Sequence, residues 1–364
     1  MIPLLIPDLP LADELLPWLK QIDSNKWYSN FGPLVQEFEA QLSTIIHSPL
    51  VSVNSGTSAL ELSLGALNLP AQTKVLLPGF TFPATATAVK ALGLQPLFSD
   101  IDPDSWQLTP AIARQVLAHQ DYDVAIPVTT FGHPQPADEW DQFFLDTGVT
   151  VLIDAASSFA QQSTGDHCIA AFSLHATKLF GIGEGGLVAC RDTEFIKQVK
   201  KLSNFGFEQS VITQAGSNGK LSEYHAAAGL AQLVRWPEIK QRREAVWRLY
   251  RQYIDPHLLQ AMPKHHIPSV LSVKIHSERN NARVMTEVTD YFHKQGIQTR
   301  RWYYPAVHQH PAFRECLNFA PQESSHLPVT ENLSLLGLPF HSSLTEDDIV
   351  SICHHLNICT HQFT

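Results

Sequence analysis

Short apolar runs alternate with helix-like segments between residues 75 and 191, and this alternation restricts the fold more than any other feature of the chain. The runs are rich in Val, Ile and Leu, and they are VLLPGF (75–80), PLFSDI (96–101), VAIPVT (124–129), VTVLIDA (149–155), AAFSLHA (170–176) and GLVACR (186–191). Strands with nearly continuous apolar content, separated by helices, are typical of a mostly parallel sheet covered on both faces. We therefore predict an α/β fold with a ligand site at the carboxyl ends of the strands.

The pattern changes in the final third of the chain. A charged stretch with helical period, PEIKQRREAVWRLYRQYI (237–254), is interpreted as an exposed helix that joins two domains. A strand-like run at 269–275 and a further helix near 281–295 follow it. We predict a large domain over residues 1–240, which includes the N-terminal segment, and a smaller C-terminal α+β domain over residues 241–364.

Composition argues against several classes of protein. The formal net charge is -10, whereas a general nucleic-acid binder needs a basic face. The sequence contains no run of about 18 apolar residues, so we expect no membrane-spanning helix. The N-terminal stretch lacks the basic region of an export signal, and the 5 cysteines are an odd number spread along the chain. We therefore expect a reduced, cytoplasmic protein.

The segment CHHLNICTH (353–361) is rich in Cys and His, in a chain that has 18 His in all. Its spacing matches neither a C-x2-C pair nor an H-E-x-x-H helix. A His-rich helix end or surface segment explains the same composition, so we assign no metal to it.

Small polar residues precede a helix-like run in NSGTSALELSLGAL (54–67). A helix that begins in this way presents unpaired backbone N–H groups near Gly56, and the hydroxyls of Thr57 and Ser58 add further donors. This arrangement suits a phosphate group, and an ordinary Ser or Thr N-cap accounts for the pattern equally well.

Two ionisable side chains follow apolar runs. Asp154 ends VTVLID, where a buried carboxylate is costly unless a cation, a protonated nitrogen or a structural hydrogen bond meets it. Lys178 follows FSLHAT, where partly apolar surroundings lower the pKa of an amine and suit Schiff-base chemistry. The alternative for Lys178 is a side chain that extends to water.

The glycines at 181, 183 and 186 formally satisfy the G-x-G-x-x-G fingerprint of a dinucleotide site. That fingerprint belongs between a strand and a helix, whereas these glycines lead into the strand-like GLVACR. We therefore reject a nicotinamide site. The glycines are predicted to form a tight turn that lets the backbone approach whatever Lys178 holds.

Considered together, these residues fit one cofactor. Pyridoxal phosphate (PLP) needs an anion cradle, an aromatic side chain on its ring, an Asp at its pyridine nitrogen and a Lys for its aldehyde. The chain supplies these groups in sequence order as Gly56-Thr57-Ser58, Phe82, Asp154 and Lys178.

At this level the chain resembles the DegT/StrS group of sugar aminotransferases, which have the PLP-dependent transferase type I fold. The matching stretches are WYSNFGPLVQEFE, NSGTSALELSLGAL, LPGFTFPATATAV, PLFSDIDPDSWQL, VLIDAAS, FSLHATKLFGIGEGG, LSNFGF, SNGKLSEYHAAAGLAQL and TRRWYYPAVH. The resemblance implies a large domain with a mostly parallel, seven-stranded sheet between helices. The segments HATK, EGG, NFGF and NGKLSE are most similar to enzymes that aminate C4 of a dTDP-4-keto-6-deoxy sugar, of the viosamine and desosamine type.

The resemblance also implies roles for individual residues. Lys178 would hold the aldehyde of the cofactor and then move protons between cofactor and substrate, and Asp154 would keep the pyridine nitrogen protonated. Phe82 would stack on the ring. Ser157 stands where the family usually has a His or Gln that contacts the phenolic oxygen. The residues implied to bind the phosphate are Gly56, Thr57, Ser58, Ser173 and, from the neighbouring subunit, Asn218.

The implied protein is a homodimer with shared active sites and with no nucleic-acid or membrane partner. It would move an amino group from L-glutamate to the 4-keto carbon of dTDP-4-keto-6-deoxyglucose, for glycan, O-antigen or secondary-metabolite sugar biosynthesis. Amination at C3, a UDP-linked sugar and a non-catalytic PLP-binding regulator remain open alternatives. The stretch from Asp154 to Lys178 is shorter than is usual in the family. A related dehydratase branch has His in place of the lysine, and the presence of Lys178 disfavours it.

Overall fold

The structure is a computed structural model that describes residues 1–275, 281–319 and 327–362. Its strands are β1 (Leu50–Val53), β2 (Lys74–Pro78), β3 (Gln95–Ser99), β4 (Val124–Ala125), β5 (Thr150–Asp154), β6 (Ile169–Ser173), β7 (Gly186–Ala189), β8 (Phe207–Glu208), β9 (Val211–Ile212), β10 (Leu271–Lys274), β11 (Arg300–Trp302), β12 (Leu317–Phe319) and β13 (Leu335–Leu338). Its α-helices are α1 (Ala12–Asn25), α2 (Pro33–Ile46), α3 (Gly56–Ala66), α4 (Pro83–Ala91), α5 (Pro110–Leu117), α6 (Ala137–Thr147), α7 (Thr193–Ser203), α8 (Glu223–Tyr253), α9 (Asn281–Lys294), α10 (Pro328–Asn332) and α11 (Glu346–Gln362). Short 3-10 helices lie at Thr130–Gly132, Pro256–Leu258, Val307–Gln309 and Pro311–Phe313.

The central sheet confirms the predicted α/β architecture. Within the described ranges it has 8 strands in the order β1-β7-β6-β5-β4-β2-β3-β12, and β7 runs antiparallel to both of its neighbours. The resemblance implied seven strands, and the additional one is β12, which comes from the C-terminal part of the chain and pairs in parallel with β3. The peptide groups along the outer side of β3 thereby gain hydrogen-bond partners that an uncovered edge would lack.

Both faces of this sheet are buried. Along β5, Val151 and Ile153 face one apolar cluster, which α2, α6 and the first half of α8 cover. Leu152 faces the opposite cluster, which includes residues of α3, α4 and α7. Burial on both faces explains why the strand sequences are apolar throughout rather than at alternate positions.

A third apolar cluster lies in the C-terminal part of the chain. It combines β10, β13, α9 and α11 with the second half of α8. The charged stretch at 237–254 was expected to be an exposed helix, and this expectation is wrong for one face, since Ile239, Val246 and Tyr250 are buried. The predicted domain boundary at residue 240 falls inside α8 and stays a prediction.

The N-terminal segment contacts the C-terminal cluster. The Ile2 N–H donates to the Gly296 carbonyl (2.7 Å), and the Phe340 N–H donates to the Leu4 carbonyl (3.1 Å). Further along, the Asp8 carboxylate accepts hydrogen bonds from Arg235 and Ser342. These bonds attach the start of the chain to the first half of α8 and to the C-terminal part.

The Cys- and His-rich segment at 353–361 lies in α11. Cys353 and Cys359 are buried in the C-terminal cluster, whereas His354 and His361 are exposed. In the described part of the chain, no three His, Cys, Asp or Glu side chains are grouped as a metal site would require. Nor does any helix in those ranges combine the length and apolar character needed to cross a bilayer.

A buried carboxylate joins α8 to α2. Glu223 is 1% exposed, and its two carboxylate oxygens accept the N–H groups of Leu34 and Val35, each at 2.9 Å. Pro33 at the start of α2 has no N–H, so these are the first two donors of that helix. Gly32 leaves room for the contact, because a Cβ there would lie 2.7 Å from the Glu223 carboxyl carbon.

We expect Glu223→Ala to lower the free energy of unfolding by about 2 to 4 kcal/mol, because two buried donors lose a charged acceptor beside a helix N-terminus. Chemical denaturation of the purified variant measures this change. The matched control is Glu238→Ala on the same helix, where the pair with Arg242 is exposed and should contribute about 0.5 kcal/mol or less. Equal effects of the two substitutions would contradict this role of Glu223.

Candidate functional site

Three strand ends meet at one edge of the sheet. Because β7 is antiparallel to β1 and β6, and β6 is parallel to β5, the strands β1, β5 and β6 run in the same direction. Their carboxyl ends lead into Asn54, Asp154 and Ser173 respectively. Asp154, Ser173 and the segment that leads into Gly56 therefore lie at the edge where open α/β sheets bind ligands.

The N-terminus of α3 forms a close-packed cradle beside Ser173. Ser55 is the N-cap, and its hydroxyl oxygen accepts the Ser58 N–H at 3.0 Å. A Cβ at Gly56 would lie 2.7 Å from the Ser173 Cβ, so only glycine allows the helix to approach β6 this closely. Gly56, Thr57 and Ser58 are half-buried, and in the described ranges the amides of Gly56 and Thr57 have no acceptor. Free amides at a helix N-terminus suit a phosphate group.

Asp154 is a buried carboxylate, 5% exposed, at the end of β5. Its Oδ2 accepts the Thr85 hydroxyl at 2.7 Å, and its Oδ1 accepts the Ala156 N–H at 3.2 Å. Burial raises the pKa of Asp154, while the bonds from Thr85 and Ala156 and the charge of Lys178 act in the opposite direction. The carboxylate is thus a buried acceptor that favours a cationic or protonated partner.

Lys178 lies in the turn that leads from β6 to β7. Burial lowers the pKa of its amine, and the nearby charge of Asp154 partly offsets this effect. The glycines that follow form a tight turn, in which the Ala176 N–H donates to the Gly183 carbonyl at 2.8 Å. Gly183 has a φ of +102°, which favours glycine, and Gly186 begins the strand β7 and not a helix.

Two further predicted residues lie next to these groups. Phe82 is the N-cap of α4 and its ring is 55% exposed, although its carbonyl oxygen is within hydrogen-bonding distance of the Thr85 hydroxyl. Ser157 is half-buried three positions after Asp154. Its carbonyl oxygen lies close to Gly132, where a Cβ would approach it to 3.1 Å.

Asn218 is exposed and lies beside the segment that precedes the cradle of its own chain. Its carbonyl oxygen accepts the Asn54 side-chain amide at 3.1 Å, and its Oδ1 accepts the Lys220 ammonium at 2.8 Å. The Asn54 N–H donates to the Gly219 carbonyl at 2.8 Å, so this stretch runs along the end of β1. Within one chain, the Asn218 carboxamide is therefore already paired with Lys220.

The structure adds residues that the sequence did not single out. Thr85 donates to Asp154 from a position 69 residues earlier in the chain. Tyr303 is stacked on Phe131 with ring centroids 5.6 Å apart, and burial together with the charge of Asp154 raises its pKa. His175 has Nε2 at 3.7 Å from the Glu184 carboxylate, three residues before Lys178. Tyr303 lies in the motif TRRWYYPAVH and His175 in FSLHATKLFGIGEGG. Neither motif indicates by itself which side chains these two residues contact.

Comparison with known proteins is consistent with this geometry. The sequence model of the DegT/DnrJ/EryC1/StrS aminotransferase family matches residues 11–357. Protein Rv3402c of Mycobacterium tuberculosis is 31% identical, over 96% of this chain and 88% of the relative. The dTDP-4-amino-4,6-dideoxy-D-glucose transaminase of Shigella dysenteriae is 29% identical, over 94% of each chain. The UDP-N-acetyl-3-dehydro-alpha-D-glucosamine 3-aminotransferase of Acidithiobacillus ferrooxidans is 30% identical, over 94% of this chain and 93% of the relative.

Among solved structures, a Bacillus cereus protein described as a PLP-dependent aminotransferase superposes with a TM-score of 0.88. It is 28% identical in sequence, and the match covers 99% of this chain and 100% of the other. The chain is therefore similar to PLP-dependent aminotransferases over its length in both sequence and fold.

We expect Gly56→Ala to weaken the binding of PLP about tenfold or more, because the added methyl group pushes α3 away from Ser173 and displaces the free amides. Titration of the cofactor-free variant with PLP, followed by absorbance, measures the affinity. Gly65→Ala is the control, since a Cβ at Gly65 on the same helix makes only an ordinary 3.7 Å contact with Leu202. Unchanged PLP affinity in Gly56→Ala would show that the cradle does not bind the phosphate.

Proposed function

The chain belongs to the DegT/DnrJ/EryC1/StrS aminotransferase family and has PLP as its cofactor, and on that premise we propose its substrates. It moves an amino group from L-glutamate to the 4-keto carbon of dTDP-4-keto-6-deoxyglucose, as a cytoplasmic homodimer. The observation that carries the amine transfer in this proposal is the placement of the buried Asp154 carboxylate and Lys178 at the sheet edge that also forms the cradle, where each influences the charge of the other.

The residues at this edge fit PLP. The free amides of α3 suit its phosphate, and the buried Asp154 carboxylate suits a protonated ring nitrogen. When bound, PLP supplies an electron sink for negative charge that develops at the substrate carbon. Asp154 serves this chemistry by holding a proton on the pyridine nitrogen, and Thr85 and Ala156 stabilise the ionised carboxylate that this requires.

Lys178 has two proposed tasks. Its amine would hold the aldehyde of the cofactor, and once free the same amine would move a proton between the substrate carbon and the cofactor. Both tasks require a neutral amine for part of the time, and burial favours that form by lowering the pKa of the amine. The nearby charge of Asp154 acts in the opposite direction and favours the protonated form.

The remaining predicted residues are proposed to bind the cofactor. Phe82, which is 55% exposed, would stack on the pyridine, and the half-buried Ser157 would contact the phenolic oxygen. The phosphate is bound by Gly56, Thr57, Ser58, Ser173 and, from the partner subunit of a dimer, a second Asn218.

The choice of C4 and of a thymidine nucleotide rests on local motifs. The transaminase of Shigella dysenteriae and the 3-aminotransferase of Acidithiobacillus ferrooxidans differ by one percentage point in identity to this chain, 29% against 30%. Overall identity therefore does not choose between C4 and C3, or between dTDP and UDP. The segments HATK, EGG and NGKLSE favour C4 amination, and the alternative is a C3 or UDP-linked sugar substrate.

A homodimer is supported by an exposed apolar surface near Asn218. Large apolar side chains with 40% to 63% exposure lie on the β8–β9 hairpin and at the N-terminus of α8, with two more before α2. They are Trp27, Tyr28, Phe205, Phe207, Val211, Ile212 and Tyr224. Within this set, the rings of Tyr28 and Tyr224 contact each other, as do those of Phe205 and Phe207. Grouped, exposed apolar side chains are typical of a face that binds another chain.

We expect the purified enzyme, loaded with PLP, to convert dTDP-4-keto-6-deoxyglucose to its 4-amino product with L-glutamate as donor. The assay uses a panel of 3-keto and 4-keto sugars linked to dTDP or UDP, with products identified by mass spectrometry and NMR. Lys178→Ala is the control, and loss of the amine should cost several orders of magnitude in rate. A higher kcat/KM for a 3-keto or UDP-linked sugar would identify that sugar as the substrate instead. No turnover with any keto sugar would favour a non-catalytic PLP-binding regulator.

Asn218→Ala is expected to weaken PLP affinity about ten- to a hundredfold, as loss of one hydrogen bond to a charged phosphate predicts. Excess PLP should restore turnover, because no reacting group changes. Mixing this variant with Lys178→Ala forms hybrid dimers in which one site keeps both groups, provided that Asn218 acts across the interface. Those hybrids should recover activity at limiting PLP.

The alternative is that Asn218 acts within its own subunit, because it lies beside Asn54 of the same chain. If Asn218 binds the phosphate of its own chain, no hybrid site holds both groups, and the mixture gains nothing over Asn218→Ala alone. Native mass spectrometry verifies that hybrids form. Absence of a gain despite such hybrids would rule out the shared site.

A further inference from the structure

Two buried threonine hydroxyls form a hydrogen-bonded chain that ends at the Asp154 carboxylate. The Thr85 hydroxyl donates to Asp154 Oδ2 at 2.7 Å, and the Thr81 hydroxyl lies 2.9 Å from that of Thr85. Thr81 and Thr85 are both 0% exposed, so water does not compete for these bonds. The family resemblance gave neither residue a role.

The order of donors in this chain follows from the charge of its end group. An ionised carboxylate only accepts hydrogen bonds, so the single proton of the Thr85 hydroxyl is committed to Asp154. The proton between the two threonines must then come from Thr81. Donation by Thr81 polarises the Thr85 hydroxyl and strengthens its bond to the carboxylate.

The helix that carries Thr85 acts in the same direction. Thr85 is the third residue of α4, so the carboxylate it binds lies beside the first turn of that helix. The positive end of the helix dipole favours a negative charge at this place. Burial favours the neutral acid, and the hydrogen bond from Thr85 is the largest influence that opposes it.

We propose that Thr85 is a positioning residue that, supported by Thr81, keeps Asp154 ionised so that Asp154 can hold the proton on the pyridine nitrogen of the cofactor. This inference rests on the role proposed for Asp154. It does not depend on which keto sugar is the substrate.

The first test is kinetic and uses nearly isosteric variants of the loaded enzyme. Thr85→Val should lower kcat about 10- to 100-fold, which is the effect of losing a hydrogen bond to a charged group. Thr85→Ser keeps the hydroxyl and should stay within about threefold of the wild type. Thr81→Val should lower kcat by a smaller factor, because it removes only the polarisation of Thr85.

The control for these variants is Thr289→Val in α9. Among the described residues, the Thr289 hydroxyl lies within hydrogen-bonding distance of the backbone carbonyls of Met285 and Thr286, in the C-terminal part of the chain. This substitution should leave kcat unchanged. A similar loss in Thr289→Val and Thr85→Val would attribute the effect to general destabilisation and overturn the proposal.

The second test measures the charge of Asp154 directly in the cofactor-free protein. Infrared difference spectra against Asp154→Asn isolate the Asp154 carboxyl band, and its titration gives the midpoint pH. In Thr85→Val the midpoint should rise by about one unit or more, because the charged form loses its strongest donor. Thr85→Ser should titrate like the wild type.

The two readouts separate the possible outcomes. A fall in kcat together with a raised midpoint supports the proposal, whereas a fall in kcat with an unchanged midpoint overturns it in favour of a structural role. If Thr85→Val does not fold, Thr81→Val replaces it with Thr85→Ser as the control, and a smaller fall in kcat together with a smaller rise in the midpoint is then expected; an unchanged midpoint in Thr81→Val would overturn the role of the threonine pair. If no keto sugar is turned over, the proposed substrate fails while the infrared titration still decides the role of Thr85.

Discussion

The buried Asp154 carboxylate is the constraint around which the rest of the site is arranged. A charge at the end of a strand covered on both faces must receive donors from its surroundings, because little water reaches it. The chain supplies a threonine hydroxyl, a backbone N–H and the charge of Lys178. The same burial lowers the pKa of Lys178. One desolvated edge thus holds both the carboxylate that we propose as the partner of a protonated ring nitrogen and an amine whose lowered pKa favours loss of its proton.

Glu223 is a second buried carboxylate that receives hydrogen-bond donors, at a position for which no catalytic role is proposed. Its carboxylate is buried and accepts two N–H groups at the start of α2, much as Asp154 lies beside the start of α4. Helix N-termini stabilise buried carboxylates at both positions. The two differ in completeness: both oxygens of Glu223 have short bonds, whereas Oδ1 of Asp154 has only a 3.2 Å contact and can accept a further donor.

The α/β class could be predicted because apolar strands separated by helices fit few other arrangements. The predicted strands correspond to β2 through β7, and the predicted C-terminal helix corresponds to α9. Other features escaped the pattern. The strand β12 is only three residues long, and it is a strand because it pairs with β3. The buried residues of α8 are interspersed with many charged residues, which hid its apolar face in the sequence. Apolar periodicity indicates that a helix is amphipathic, but it does not identify the elements that pack against its apolar face.

The sequence by itself determined the fold class, the cofactor and the candidate residues, because a cradle, a strand-end Asp and a Lys before a glycine turn are each encoded within a few consecutive positions. Only the tertiary structure decided which distant groups meet them. Thr85 and Asp154 are 69 positions apart, and Glu223 and Leu34 are 189 apart. Contacts between residues so far apart in sequence depend on how the sheet and its helices pack, and local propensity does not determine that packing. For the same reason, the contact between Asn218 and Asn54, which are 164 positions apart, appeared only in three dimensions.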